Sequence, residues 1–274
     1  MKTAAVVVLY GPDREALDRA RAYAGSFDLV LCMDNSREEH GAAFAGEGRI
    51  RYFFFGENRG LAAVYNEAME LALREGCDAL CLLDQDSEFS PEAIAAVRRH
   101  MEEDELREQT VIYAPAVRIG ESPAAGGGKT ETVPWAINSG SFLNLRLARA
   151  HGLRYDENYF LDRLDRDFCR QAENAGLLIR RCGDAVLKQQ LGVLYKGRNI
   201  HSPLRNYYTA RNRLYYNRKY LPFPKRAAAD ALQTARHVWN ILSAGKDVPE
   251  NLRMIARGIR DHRKGRYGKI PDGD

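Results

Sequence analysis

The sequence predicts an α/β fold: a doubly wound, mostly parallel sheet with helices on both faces, followed by a basic helical extension. Three observations carry this. Apolar runs at residues 4–10, 29–33, 50–55 and 79–83 each stop at a polar cluster, as strands buried on both faces of a parallel sheet do. Segments of helical period alternate with these runs across short links. The charge is also divided: from Arg205 onward 16 Lys and Arg face 6 Asp and Glu, a net +10, so the total of +4 leaves −6 for residues 1–204. A domain of residues 1–204 and an extension of 205–274 follow from that shift.

Residues 4–10 (AAVVVLY) form the first strand and run into Gly11-Pro12-Asp13, where a helix opens over 13–24. The second strand, 29–33, ends at Asp34-Asn35-Ser36. The third, 50–55, ends at Gly56-Glu57-Asn58-Arg59-Gly60. Apolar residues at 61, 64, 65, 68, 69, 71 and 73 keep a helical period, and Gly76 stops that helix. The fourth strand, 79–83, leads to Asp84-Gln85-Asp86. Tyr10, Asp34, Asn58 and Asp84 therefore line one edge, the edge where open α/β sheets hold ligands.

If the chain stays extended across Gln85, Asp84 and Asp86 point to the same side. Two carboxylates so placed suit Mg²⁺ or Mn²⁺, hard cations that also take phosphate oxygens. The same Asp-x-Asp also suits a polar turn before the helix that opens at Ser90-Pro91.

Beyond that helix, which runs to about Glu103, residues 111–119 are extended and 120–130 form a Gly-rich surface loop. Its Gly126-Gly127-Gly128-Lys129-Thr130 mimics a phosphate loop, but Pro123 stands where the motif needs its first glycine, and no helix follows. Residues 133–145 are extended and broken by Asn138-Ser139-Gly140-Ser141. Asp162, Asp165 and Asp167 gather at a helix start; on a helix 162 and 165 share a face, and the dipole alone would favour acids there. Ser202-Pro203 opens a helix rich in Arg and Tyr, and two further helices, over 225–243 and 249–264, finish the chain. Five cysteines without a Cys-x-x-Cys pair read as reduced thiols. No apolar stretch reaches membrane-spanning length and no signal-peptide pattern is present, so a cytoplasmic protein is expected. The basic extension calls for an acidic partner, such as an anionic membrane surface.

Taken in order, VVVLY, MDNS, NRGLAAVYNEA, LLDQDS, INSGSF, FLDRLDRDFCRQAENAG and SPLRNYYTARN resemble the family-two glycosyltransferases of GT-A fold, most closely a rhamnosyltransferase branch. The resemblance covers about residues 4–220. It implies an inverting transferase of polysaccharide and cell-envelope assembly that takes a sugar from a nucleotide donor, dTDP-L-rhamnose or a UDP-sugar, to a polysaccharide or polyprenyl-linked acceptor. It implies Tyr10 and Asp34 at the nucleobase, Asn58, Gly60, Asn66, Asp84 and Gln85 at the donor, and Asp84 with Asp86 at the metal. Asp165 aligns with the general base, with Asp167 and Asp162 as competitors. Asn138, Ser139, Gly140 and Arg211 would shape the sugar or acceptor pocket. Two departures stand out: Leu9-Tyr10-Gly11 replaces Thr-Tyr-Asn, and Gln189, three residues before Gly192, stands where relatives often carry a histidine.

Two other readings compete. A sugar-nucleotide pyrophosphorylase would carry a Gly-rich basic signature after its first strand, and residues 9–13 have none. A nucleic-acid module could use the cations and tyrosines of 205–218, but the acidic main body opposes it, and no nucleic acid is expected as a partner.

Overall fold

The computed structural model describes residues 1–119, 129–189, 193–195 and 198–270. Most of the expected Gly-rich loop (120–128) and Gly192 lie outside the described residues. The chain divides into two compact units, Met1–Asp156 with Asp165–Gln190, and Glu157–Leu164 with Leu191–Asp274.

The first unit contains β1 (Thr3–Leu9), α1 (Arg14–Ala22), β2 (Leu29–Asp34), β3 (Ile50–Phe54), α2 (Leu61–Arg74), β4 (Ala79–Asp84) and β5 (Glu88–Phe89). It continues through α3 (Pro91–Glu103), β6 (Thr110–Ile119), β7 (Thr130–Thr132), β8 (Phe142–Asn144), α4 (Leu145–Ala150), α5 (Leu164–Asn174) and β9 (Leu178–Gln189). Among the described residues the strands form one sheet in the order β3-β2-β1-β4-β8-β6-β9-β5, with β7 on β9. Strands β1 to β4 are parallel, and every residue of β1 and β2 is buried, as their unbroken apolar runs require.

Past β4 antiparallel strands join the mostly parallel sheet. β8 runs antiparallel to both β4 and β6, β6 and β9 are parallel, and β5 and β7 are antiparallel to β9. β5, β7 and β8 are two or three residues long, too short to leave an alternating pattern in the sequence. The order has a consequence for the edge. β4, β6 and β9 point the same way, so the end of β9 at Gln189 and the loop entering β8 both come to the edge where β4 ends.

The second unit holds a small antiparallel hairpin, β10 (Val193–Tyr195) with β11 (Arg198–Ile200), and three helices. These are α6 (Pro203–Tyr220), α7 (Phe223–Ala244) and α8 (Val248–Arg263). Ser202 caps α6 by accepting from Arg205 N–H, with Pro203 in the first turn. Arg211, expected at the sugar or acceptor pocket, sits within α6. It is 1% exposed, donates to Tyr207 Oη (3.3 Å), Asn158 O (3.3 Å) and Asn212 Oδ1 (3.0 Å), and packs over the Tyr208 ring. Among the described residues no helix is long and apolar enough to cross a membrane.

α6 and α8 cross at Gly258, where an added Cβ would stand 2.6 Å from Tyr207 O and 3.2 Å from Arg211 N. Backbone cannot yield as a side-chain tip can. Gly258→Ala should therefore lower the unfolding free energy by about 1–3 kcal/mol, read from urea denaturation followed by far-UV circular dichroism. An unchanged midpoint would contradict this close approach.

Candidate active site

The site begins with the turn after β2. Asp34 is fully buried and accepts from Tyr52 Oη (2.7 Å) and Ser36 N–H (2.9 Å), with His40 Nδ1 at 2.8 Å. Burial alone would raise its pKa, but the bonds from Ser36, Tyr52 and His40 prevail and hold it below the ordinary aspartate value. Ser36 Oγ accepts from Gly11 N–H (2.8 Å), and Asn35 Oδ1 accepts from Arg59 N–H (3.3 Å). This one turn thus ties down the loops after β1 and β3. In the second of them Asn58 Oδ1 accepts from Gly60 N–H (3.0 Å), just before α2 begins.

At the end of β4 the chain does not remain extended. Ser87 N–H bonds Asp84 O at 3.1 Å, so Gln85 and Asp86 form a turn. The expectation of same-side carboxylates on an extended chain is corrected here: Asp84 is half-buried and Asp86 is exposed. The Gln85 amide has a role of its own. Its Oε1 accepts from Tyr10 N–H (2.8 Å) and its Nε2 donates to Tyr10 O (3.3 Å), which continues the β1–β4 ladder with a side chain. That clamp presents Tyr10, 61% exposed, on the rim.

Asp84 meets the loop that enters β8. Ser139 Oγ donates to Asp84 Oδ2, Gln189 Nε2 donates to Ser139 Oγ (3.2 Å), and Tyr65 Oη lies 3.5 Å from Asp84 Oδ1. Gly140 N–H donates to Leu82 O (2.7 Å), which docks the loop on β4. Gly140 has φ +75°, and a Cβ there would stand 2.8 Å from Pro115 Cγ, so only glycine suits the position. Asn138 Oδ1 accepts from Tyr155 Oη (2.9 Å), while Asn66 exchanges two bonds of 2.9 Å with the Tyr155 backbone. Asn66 thus holds this segment in place.

The three acids near α5 have different surroundings. Asp162 belongs to the second unit and precedes the helix: φ is +60° there and +70° at Arg163, so the shared helical face with Asp165 is not formed. It accepts from Arg205 Nη2 (3.1 Å) and Thr209 Oγ1 (2.8 Å). Asp167 is 1% exposed and accepts from Gln171 Nε2 (2.7 Å). Asp165 is half-buried in the first turn of α5. Its charge reaches Tyr65: burial and then the charge of Asp84 raise that phenol well above its ordinary pKa, and Asp165 adds to them. Tyr65, Tyr155, Tyr52 and His40 were not singled out from the sequence. Only the helical period at residue 65 hinted at any of them, and it pointed to packing.

A divalent cation fits the donor chemistry at β4. Mg²⁺ or Mn²⁺ in nucleotide sites takes one or two carboxylates and fills its shell with phosphate oxygens and water. Asp84 and Asp86 offer that number, and among the described residues no group of three or more His, Cys, Asp or Glu forms a fuller cage.

The Asp34 carboxylate has a pH signature. Its folded pKa lies below the unfolded value of about 3.9, so the unfolded chain binds more protons between the two. The stability it contributes is complete above about pH 4 and is lost as pH falls through the folded value. Asp34→Asn should flatten this acid limb in urea unfolding run from pH 7 to pH 3. A wild-type slope in the variant would contradict the bonding described.

The chain matches Glycosyl transferase family 2 over residues 14–141. It is 23% identical over 236 residues to the dTDP-rhamnosyl transferase RfbF of Shigella flexneri, covering 78% of this chain and 79% of that protein. Among solved structures, S. aureus TarS 1–349 in complex with UDP-GlcNAc superposes at a TM-score of 0.53 with 12% identity, over 96% of this chain and 73% of that one. GalNAc-T7 with UDP, GalNAc and Mn²⁺ gives 0.59 and 13%, over 96% and 58%. The fold is thus GT-A-like, residues 14–141 match the family-two glycosyltransferases, and the chain is a glycosyltransferase that resembles a rhamnosyl transferase.

Proposed function

We propose that the enzyme transfers L-rhamnose from dTDP-L-rhamnose, with inversion, to a hydroxyl of a polysaccharide or polyprenyl-linked acceptor. The likeness to a protein named as a dTDP-rhamnosyl transferase favours this donor. A UDP-linked hexose or galactofuranose is the second reading, favoured by the UDP-sugar named with one solved structure. The observation that carries the proposal is the cluster at the end of β4, where Asp84 meets Ser139 and Tyr65, with Asp165 in the first turn of α5 as the second carboxylate. One carboxylate can then serve the leaving group and the other the attacking hydroxyl.

In this reading Tyr10 stacks on the base, and Asp34 serves it by fixing the turn of residues 34–36. The loop of Asn58 and Gly60 offers N–H groups to the anion at the start of α2. Asp84 and Asp86 hold Mg²⁺ or Mn²⁺, which when bound neutralises charge on the departing diphosphate. Asn138, Ser139 and Gly140 shape the sugar pocket. Asp165 takes the acceptor O–H proton as that oxygen bonds to the anomeric carbon. The anomeric C–O bond on the opposite face breaks as the new bond forms, and its electron pair leaves with the nucleoside diphosphate.

The acceptor lies at an anionic membrane face. The net +10 beyond residue 204 and the exposed Phe223, Leu232, Trp239 and Leu242 of α7 support that placement.

Asp165→Asn keeps shape and removes the base. It should slow transfer by about a hundredfold or more while nucleoside diphosphate still binds. Asp167→Asn and Asp162→Asn should cost less, since one is enclosed and the other is engaged with Arg205. Steady-state rates and a nucleotide titration on the three variants decide this. An inactive Asp167→Asn beside an active Asp165→Asn would move the base by one acidic position.

A further inference from the structure

We propose that the C-terminal unit carries a separate anion site, built on α8 and the turn after it, that takes a diphosphate group. A pocket of about 500 Å³ there is lined by Arg253, Arg257, Arg260, Lys264 and Arg266, with Asp261 at its base. Residues 253, 257, 260 and 264 recur at helical spacing, so they form a single row on the face opposite Asn251, Ile255 and Gly258, which are buried. Arg266 joins the row through a defined C-cap. Gly265 (φ +67°) turns the chain back, with Gly265 N–H on His262 O (3.0 Å) and Arg266 N–H on Asp261 O (2.9 Å). The backbone at the fifth cation is therefore fixed beside the row.

The row is costly without a ligand. Like charges at this spacing repel one another. Asp261 offsets little of it: the carboxylate accepts from Tyr207 Oη (2.8 Å), and Arg257 Nε lies 4.0 Å away. Among the described residues Arg253, Arg260, Lys264 and Arg266 make no ion pair. The helix dipole accounts for cations in the last turn only, and Arg253 and Arg257 lie well before it. Among the described residues, five cations and one carboxylate line a concavity the size of a small ligand, which matches a compact, multiply charged anion. Guanidinium forks bind phosphate oxygens in pairs, and four of the five are arginine.

Two sources offer this chemistry: a phosphate-bearing lipid headgroup at a membrane surface, and a soluble diphosphate. The inference concerns residues outside the donor site and does not depend on which sugar is transferred.

The test is isothermal titration of the full-length protein with inorganic pyrophosphate, on wild type and on the double variant Arg253→Gln/Arg260→Gln. Both positions are exposed, and a thermal melt checks that the fold is retained. Wild type should bind, and the double variant should bind about tenfold more weakly or worse, while its affinity for nucleoside diphosphate is unchanged. Equal pyrophosphate affinity in the two proteins would overturn the proposal, as would absence of binding to wild type. Sedimentation with phosphatidylglycerol and phosphatidylcholine vesicles separates the sources. Pyrophosphate-sensitive binding of wild type to phosphatidylglycerol alone, lost in the double variant, assigns the site to a lipid headgroup. Pyrophosphate binding with no vesicle binding assigns it to a soluble diphosphate.

Discussion

The first unit depends on one constraint: a sheet buried on both faces must satisfy its polar groups where its strands end. β1, β2, β3 and β4 all end along one edge, and the side chains there supply the missing partners. Gln85 extends the ladder to Tyr10, Asn35 and Ser36 hold the neighbouring loops, and Ser139 meets Asp84. The same need that closes the sheet gathers hydroxyls, amides and carboxylates into one place. An edge of this composition suits a charged, hydroxyl-rich ligand better than an apolar one.

Strand direction then decides which remote residues join. Because β8 is antiparallel to β4, the loop of residues 138–141 comes to the edge, and because β9 runs with β4 its last residue does too. Gln189 consequently touches Ser139, although fifty positions separate them. Asp165 stands in the first turn of α5, the helix that precedes β9. The chemistry is assembled by topology from pieces that are individually weak in sequence.

This explains what could be read in the residues and what could not. Strands β1 to β4 and helices α2, α3 and α6 were legible because burial on both faces, helical period and capping are local properties. The antiparallel half of the sheet was not, since pairing of two- and three-residue strands is a tertiary event. The turn at Gln85-Asp86 was one of two readings of Asp-x-Asp, and the bond that goes with it, between Gln85 and Tyr10, spans 75 residues. The left-handed backbone at Asp162 and Arg163 goes with bonds from Arg205 and Asn212 on α6. Arg211 entered the expected pocket through the resemblance alone, and nothing local in the sequence announced its burial beside Tyr207, Asn212 and Tyr208.

The central claim is that Asp84, at the end of β4, anchors the donor's diphosphate end with a divalent cation. Its most direct test is a thermal-shift titration of dTDP and UDP, with and without Mn²⁺, on wild type and on Asp84→Asn. The account predicts that one nucleotide raises the melting temperature of wild type, more so with Mn²⁺, and that Asp84→Asn loses the Mn²⁺-dependent part. An Asp84→Asn protein that keeps the full Mn²⁺-dependent shift would contradict it.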